Sequence, residues 1–445
     1  MRTRQYILVM LVGLFASCQY GKKKSEENPD AALIAKRPEH AINSQVMQIT
    51  GPWSDNKHTT TPNLISEGKK LYLSWVERDS TQAYLRYSVN EDDVWGSEDL
   101  IAQGNNWFIN WADFPQIAVY GDYMMATFLQ MSADGTYTYD IYFTIKEGQN
   151  PWKAPKKLHR DDTKSEHGFV SISPGSEGFL ASWLDGRNTV VEKQSLHNTQ
   201  NNHGEHSVGA MTLRSVLVNF DGSLGSESLI DSRVCDCCQT AIALAENDEA
   251  FVAYRGRSDS EVRDILLRRG HPEEGWTDPM STDDNWLIPG CPVNGPSIDT
   301  YEKTVALAWF TAAENEPRVL VTFSSTDSLA LNETIRMDSG NAIGRVDLVQ
   351  LSSDTAIVSW VEPMGDSDYI RGQWVNKNGE KGPLVTISKT SAERATGFPR
   401  MVKHKENLYL VTTQLKPDKS SEISLRAWPI SIMLPEQINA LKIND

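Results

Sequence analysis

The chain has 445 residues, 39% of them hydrophobic, and a formal net charge of −16. So acidic a chain excludes nucleic acid as a partner, because phosphate binding needs clustered lysine and arginine. After the first 17 residues no apolar run is long enough to cross a membrane as a helix, and the remaining body is longer than one ordinary domain unless it is built of repeats.

Arg2 and Arg4 precede an apolar run from Tyr6 to Phe15, which ends in Ala16, Ser17 and Cys18. The run is too short for a permanent membrane helix, and a basic start, a short apolar core and small residues are what signal peptidases read. A cysteine directly after the small pair resembles the lipobox of bacterial lipoproteins, with Phe15 where leucine is usual. The resemblance implies removal of residues 1–17, a lipid on Cys18 and attachment to a membrane of the bacterial cell envelope. Gln19, rather than an aspartate, resembles lipoproteins sent to the outer membrane. A plain secretory signal with an incidental cysteine is the alternative. Each buried methylene of an acyl chain contributes about 0.8 kcal/mol, so a multiply acylated cysteine anchors stably. Residues 18–44, with Lys22, Lys23, Lys24, Glu26 and Glu27, are polar and aperiodic and read as a flexible tether.

From there short apolar runs ending in an aromatic recur: Leu71 to Trp75, Met124 to Phe128, Phe179 to Trp183, Phe251 to Tyr254, Val305 to Trp309 and Ala356 to Trp360, with Leu408 to Val411 last. About ten residues before each lies another strand candidate, as at Pro62 to Ile65 and Phe169 to Ser173, and after each a third with alternating character, as at Tyr84 to Ser88. Short fourth strands are expected around Leu100, Leu158, Leu229, Ile335 and Val385. A four-stranded unit with a period of about 50 residues predicts an all-β fold, a β-propeller of about seven blades, with six blades or a pair of β-sandwiches as alternatives. The seventh unit lacks a fourth strand, and Val46 to Thr50 is left over before the first. Pairing the two closes the ring and removes an exposed edge. The propeller is therefore expected over 45–432, with a tail at 433–445.

Ser88-Val89-Asn90-Glu91-Asp92-Asp93-Val94-Trp95, between third and fourth strands, resembles the Asp-box of the sialidase and BNR-repeat superfamily, with weaker echoes at Gly148 to Trp152, Gly270 to Trp276 and Ser324 to Ser328. Those boxes lock hairpin turns, so the resemblance implies a fold and leaves activity open.

Loops that enter the innermost strands or leave the second strands converge on one axial face, where ligand sites are expected. In order they bring His58, Asp113, Glu166 with His167, Cys235 to Gln239, Cys291 to Asn294, and Arg345. The same face receives Asp185 with Arg187, Arg255 with Arg257, Glu362, and an insertion that holds His197, His203 and His206. Cys235, Cys237, Cys238 and Cys291 enter adjacent blades, so their thiols can meet near the axis. Two readings stay open. One is a soft-metal site for copper or zinc, helped by His167 or a histidine of the insertion. The other is one or two disulfides in an oxidising compartment, with neighbours Cys237 and Cys238 pairing only under strain.

Sialidases hold a sugar carboxylate with three arginines and use an aspartate acid with a tyrosine–glutamate pair. The resemblance therefore makes Asp113 a candidate acid, Glu362 a candidate partner, and Arg187, Arg255, Arg257, Arg263 and Arg345 a candidate cluster, although His58-Thr59-Thr60-Thr61-Pro62 stands where the first arginine belongs. The favoured expectation is a lipid-anchored protein whose axial face, including His58, His167 and Asn294, binds a glycan, another small molecule or a soft metal. An exo-acting sialidase-like glycoside hydrolase is the main alternative, and a non-catalytic scaffold in an envelope complex is the third.

Overall fold

A run such as Val305-Ala306-Leu307-Ala308-Trp309-Phe310 is apolar on both faces, a pattern that suits a strand covered on both sides. In the computed structural model, which describes residues 45–53, 58–190 and 209–435, this is what such runs become. Thr304–Thr311 and Gly178–Asp185 are second strands of antiparallel sheets and are buried along almost their whole length. Cys18, the tether, and His197, His203 and His206 lie outside the described residues. Among those described, no helix is long and apolar enough to cross a membrane.

Among the described residues seven such sheets form, and in all but the last the strands run in chain order outward from the axis. The innermost strands are His58–Glu67, Ile117–Tyr120, His167–Pro174, Ala241–Leu244, Ser297–Tyr301, Gly344–Ser352 and Arg400–His404, and they define blades 1 to 7. Among the described residues the count is seven rather than six, and no pair of sandwiches is present. Blade 7 takes its outermost strand from the start of the body: Met47–Ile49 pairs with Ser421–Pro429, Gln48 opposite Arg426. At the other end Met433 and Leu434 are buried, with the Trp428 indole 3.0 Å from the Met433 sulfur, so the packed body runs through Leu434.

The aromatic that ends each apolar run fills the space between blades. Trp75, Trp183 and Trp360 are fully buried, and each donates its indole N–H to the carboxylate two residues on: Glu77 at 3.2 Å, Asp185 at 3.0 Å and Glu362 at 2.6 Å. Trp309, followed by Thr311 instead, reaches Asp284 at 2.7 Å. An unpaired buried N–H costs about 1–3 kcal/mol, which explains why an acid recurs beside the tryptophan.

The hairpin turn of blade 1 has Asp92 and Asp93 at φ 50° and 64°, the two positive angles of a type I′ turn, between paired Glu91 and Val94. The Ser88 hydroxyl donates to the Gly96 carbonyl at 2.9 Å and closes the turn. Its tryptophan, Trp95, packs against the apolar cluster that blades 1 and 7 share, to which Val411 and Leu425 belong. Trp152 of blade 2 meets Tyr87 of blade 1 edge-on, and Trp276 of blade 4 donates to Ser228 of blade 3. Each turn tryptophan thus seals against the preceding blade.

Candidate active face and thiol cluster

Innermost strands bulge where they enter the axial face. Thr61, Phe169 and Arg345 sit at φ 46°, 51° and 53°, and the pairing register shifts at each. A non-glycine residue in this region costs on the order of 1 kcal/mol or more, so something must hold it. At Phe169 the holder is Asp113, whose Oδ1 accepts the Phe169 N–H at 2.8 Å; at Arg345 it is Asn294, whose Oδ1 accepts the Arg345 N–H at 2.7 Å. Asp113 and Asn294 therefore do the same backbone work from equivalent loops. Gly168 completes the first site, because a Cβ there would lie 2.0 Å from Asp113 Oδ2.

Below these bulges lies a central cavity of about 100 Å³, lined in part by Asp113, Phe169, Ser171, Thr240, Ser297 and Phe398. Gln239 bridges its wall: the side chain donates to the Ala112 carbonyl at 2.7 Å and accepts from the Gly295 N–H at 3.1 Å.

Just before Gln239 the chain presents Cys235, Cys237 and Cys238. Their sulfurs all lie within 4.8 Å of one another, with Cys235 and Cys238 buried and 3.6 Å apart. Cys291, exposed on the entry loop of blade 5, reaches the same group through a thiol interaction with Cys235. All four are free thiols. Arg263, 3% exposed, sets Nη1 3.2 Å from the Cys235 sulfur and pairs with Glu261 at 2.7 Å. Arg257 pairs with Glu261 at 2.7 Å and Asp236 at 2.9 Å. Hydrogen bonds from the thiols of Cys237, Cys238 and Cys291 hold the Cys235 thiol well below its ordinary range, whereas burial pushes Cys238 up to about 12. The group therefore carries one favoured thiolate, ringed by three sulfurs and approached by one guanidinium.

A second polar group stands at blades 2 and 3. The Tyr139 hydroxyl lies 2.8 Å from both Asp113 Oδ2 and Glu166 Oε1. One phenolic proton serves only one acceptor, so a carboxyl must hold a second. Burial supplies the reason: it raises Asp113 to about 8 and Glu166 to about 7. Tyr139 itself is fully buried, its ring stacked on Phe108 at 4.1 Å.

The five arginines named from the sequence form no single cluster: Arg257 and Arg263 share Glu261, and the other three spend their guanidiniums elsewhere. Arg255, 2% exposed, spends its guanidinium on the carbonyls of Asn294, Arg263 and Phe310 and lies over Trp286. Arg345 donates to Thr396 and to the Ala392 and Glu393 carbonyls, and burial lowers it to about 10. Arg187 forks onto Asp185, with Glu227 at 2.8 Å. Glu362 belongs to the tryptophan pairs described above. His58 is exposed and lines a groove of about 760 Å³ with Trp111, Arg78 and Arg394. His167 turns from the sulfurs to Asp161, at 2.9 Å, and stacks on His159. Sequence reading missed Tyr139, His159 and Asp140. Tyr139 and Asp140 begin a third strand whose alternation gives no sign of a site, although two histidines within eight residues were a signal.

No protein-family model and no curated protein sequence matches the chain. Among solved structures it is similar to an α-L-arabinanase of Penicillium chrysogenum complexed with arabinobiose, at 11% identity over 88% of this chain and 99% of that one, with a TM-score of 0.45. The polysaccharide lyase Uly1 is 8% identical over 82% of this chain and 89% of the other, TM-score 0.48. A Trypanosoma rangeli sialidase in complex with the inhibitor DANA is 11% identical over 74% of this chain and 56% of the other, TM-score 0.42. The neighbours thus include a sialidase and other carbohydrate-active proteins, while the seven-bladed ring rests on this chain's own strand pairing.

Proposed function

We propose that this chain is an exported, lipid-anchored β-propeller of the bacterial envelope that binds a soft metal ion, copper(I) or zinc, through Cys235, Cys237, Cys238 and Cys291. One observation carries the reading: three thiols of the blade 4 entry loop lie within 4.8 Å of one another, and Cys291 of the blade 5 entry loop interacts with Cys235 among them. The 3.6 Å between Cys235 and Cys238 is close to the edge of about 3.8 Å that a tetrahedron with metal–sulfur bonds of about 2.3 Å requires. A disulfide needs about 2.05 Å. Arg263 favours the thiolate form of Cys235, the form that ligates. The signal ending at Cys18 supports export and anchoring, which would set the thiols outside the cytosol.

The test is elemental analysis of the mature protein purified under reducing conditions, beside a free-thiol count. One equivalent of copper or zinc, lost when Cys235 and Cys238 are both changed to serine, supports the site. Metal-free protein without titratable thiols would leave disulfides in its place.

The second reading is a glycoside hydrolase, and the Asp113, Tyr139 and Glu166 group favours it, since two carboxyls with raised pKa are what proton transfer to a leaving oxygen uses. The full burial of Tyr139 weighs against it. Release of a fluorophore from sialoside or arabinoside probes, abolished by Asp113→Asn, would decide for the hydrolase.

A further inference from the structure

The groove that His58 lines lies across the ring from the thiols, over the axial end of blade 1 between blades 7 and 2. Arg78, Asn110, Trp111, Arg394 and Lys419 line it too, and its volume is about 760 Å³. The strand pairing sets His58 directly opposite Arg78, so both side chains leave the same face of blade 1. Arg394 reaches over from the turn Arg394–Thr396 that enters blade 7, and its guanidinium lies over the Trp111 ring at 6.0 Å. Trp111 is itself fixed, stacked on Phe398 at 5.7 Å and covered by Arg345 at 5.4 Å. A guanidinium resting on a ring keeps its N–H edge free. Among the described residues neither Arg78 nor Arg394 makes a hydrogen bond or an ion pair.

The acids nearby are already spent. Asp79 Oδ1 accepts from the Thr81 amide, the Thr81 hydroxyl and the Gln82 amide, and its Oδ2 from the Tyr84 hydroxyl, all at 2.7–2.9 Å. Asp418 is bound by the amide and hydroxyl of Ser420. Glu393 pairs with Lys419 at 3.1 Å, but both side chains are more than half exposed, and an ion pair so placed contributes little. Two free guanidiniums, an ammonium and an imidazole thus face one groove in a chain of net charge −16.

We infer that this groove binds a small phosphate monoester, its phosphate held between Arg78 and Arg394 with Lys419 and His58 beside them. A carboxylate offers two oxygens in one plane and is matched by a single guanidinium fork. A phosphate offers three oxygens around a centre, carries close to two negative charges at neutral pH, and takes cations from several directions. Donors that arrive from blades 7 and 1 suit the second. The volume lies within the range of small-molecule sites, which leaves room for the organic part of an ester. Asn110, whose Oδ1 accepts the Ala112 N–H at 2.9 Å, keeps its NH₂ for that part. A long polyanion would meet the acidic remainder of the surface and be repelled.

Glycerol 3-phosphate is titrated into the mature protein by calorimetry at low salt, with sodium acetate at equal ionic strength as the comparison anion. One equivalent should bind, about tenfold or more weakly after Arg78→Gln and after Arg394→Gln, since each removes a charge-assisted fork. Arg233→Gln, which takes an exposed cation from the blade 4 entry loop, should leave the affinity unchanged. Arg78 and Arg394 are exposed, so both variants should keep the fold, and their melting temperatures check it. No binding of the ester, or acetate bound as tightly, overturns the proposal. So does binding that survives both arginine variants, as phosphate held through a metal at the thiols would. Sedimentation with vesicles containing phosphatidate tells the source of the ester. Capture lost with Arg394→Gln makes it a lipid headgroup, and no capture beside glycerol phosphate binding makes it a soluble compound; either keeps the site.

Discussion

The Nη1 of Arg263 lies 3.2 Å from the sulfur of Cys235 and, among the described residues, is the one cation that hydrogen-bonds to the thiol group. Its other nitrogens are held by Glu261, so the guanidinium is fixed rather than mobile. Arg263→Met should therefore raise the Cys235 pKa and weaken metal binding by on the order of tenfold or more, as loss of a supporting group around a metal site does. Alkylation rate against pH in metal-free protein and chelator competition in loaded protein measure the two effects. Equal affinity in both proteins would show that the arginine braces the loop and nothing more.

Asp113 predicts a pH dependence. Its folded pKa is raised to about 8 from an ordinary 3.8, so between those values the folded state holds a proton that the unfolded chain has released. Stability from this group is complete below pH 3.8 and declines as pH rises through about 8, by at most roughly 1.4 kcal/mol per pH unit for one proton. Asp113→Asn should remove that slope and keep the fold, because Asn294 already performs the same backbone capture at blade 6 with an amide oxygen. Denaturant melts at pH 5 and pH 8 compare the two proteins. An undiminished slope in the variant assigns the titration to another group.

Glu362→Ala should destabilise the protein by about 1–3 kcal/mol and leave metal content and any hydrolytic activity untouched, since the substitution orphans the buried Trp360 N–H and nothing on the axial face. Urea unfolding gives the first number, and assays on the folded variant the second. Loss of activity at unchanged stability would return Glu362 to the list of functional residues.

Most of the ring was readable in the sequence because its physical cause is local. A strand covered on both sides must be apolar throughout, so the run from Ala356 to Trp360 announces its place, whereas Glu362 two residues on was read as a candidate catalytic partner and not as the acceptor of the Trp360 N–H. Closure by Val46 to Thr50 followed from counting strands, and the meeting of the cysteines from the order of loops. The arginines were not readable. Arg255 and Arg345 have the composition of an anion site, but their partners are carbonyls of Asn294, Phe310, Ala392 and Glu393, and backbone acceptors leave no trace in a sequence. The Asp140, His159 and His167 group was hidden differently, since its three members sit in separate elements and meet only through the packing of one blade on the next. Leu158, expected within a fourth strand, falls just after Lys156–Lys157, and its N–H still bonds to the Ile141 carbonyl.

Removal of residues up to Gly51 should leave Ser421–Pro429 as a bare edge, since Met47–Ile49 is its only outer partner among the described residues. The shortened protein is expected to aggregate, measured by light scattering against the mature form, while a variant with Met47 and Ile49 changed to threonine stays soluble and melts lower. A monomeric, equally stable truncation would mean that the seventh blade stands on three strands.

The latch of three residues also sets where the molecule gives way under load. Any pull applied to the chain ahead of Met47 arrives first at the pairing of Met47, Gln48 and Ile49 with Ala427, Arg426 and Leu425. If the chain is held at a membrane by its beginning, tension from shear or from a bound partner is thus taken by the shortest strand pairing that closes the circle. The ring would yield at that seam, blade 7 first, long before the thiols and histidines of blades 2 to 5 felt the force.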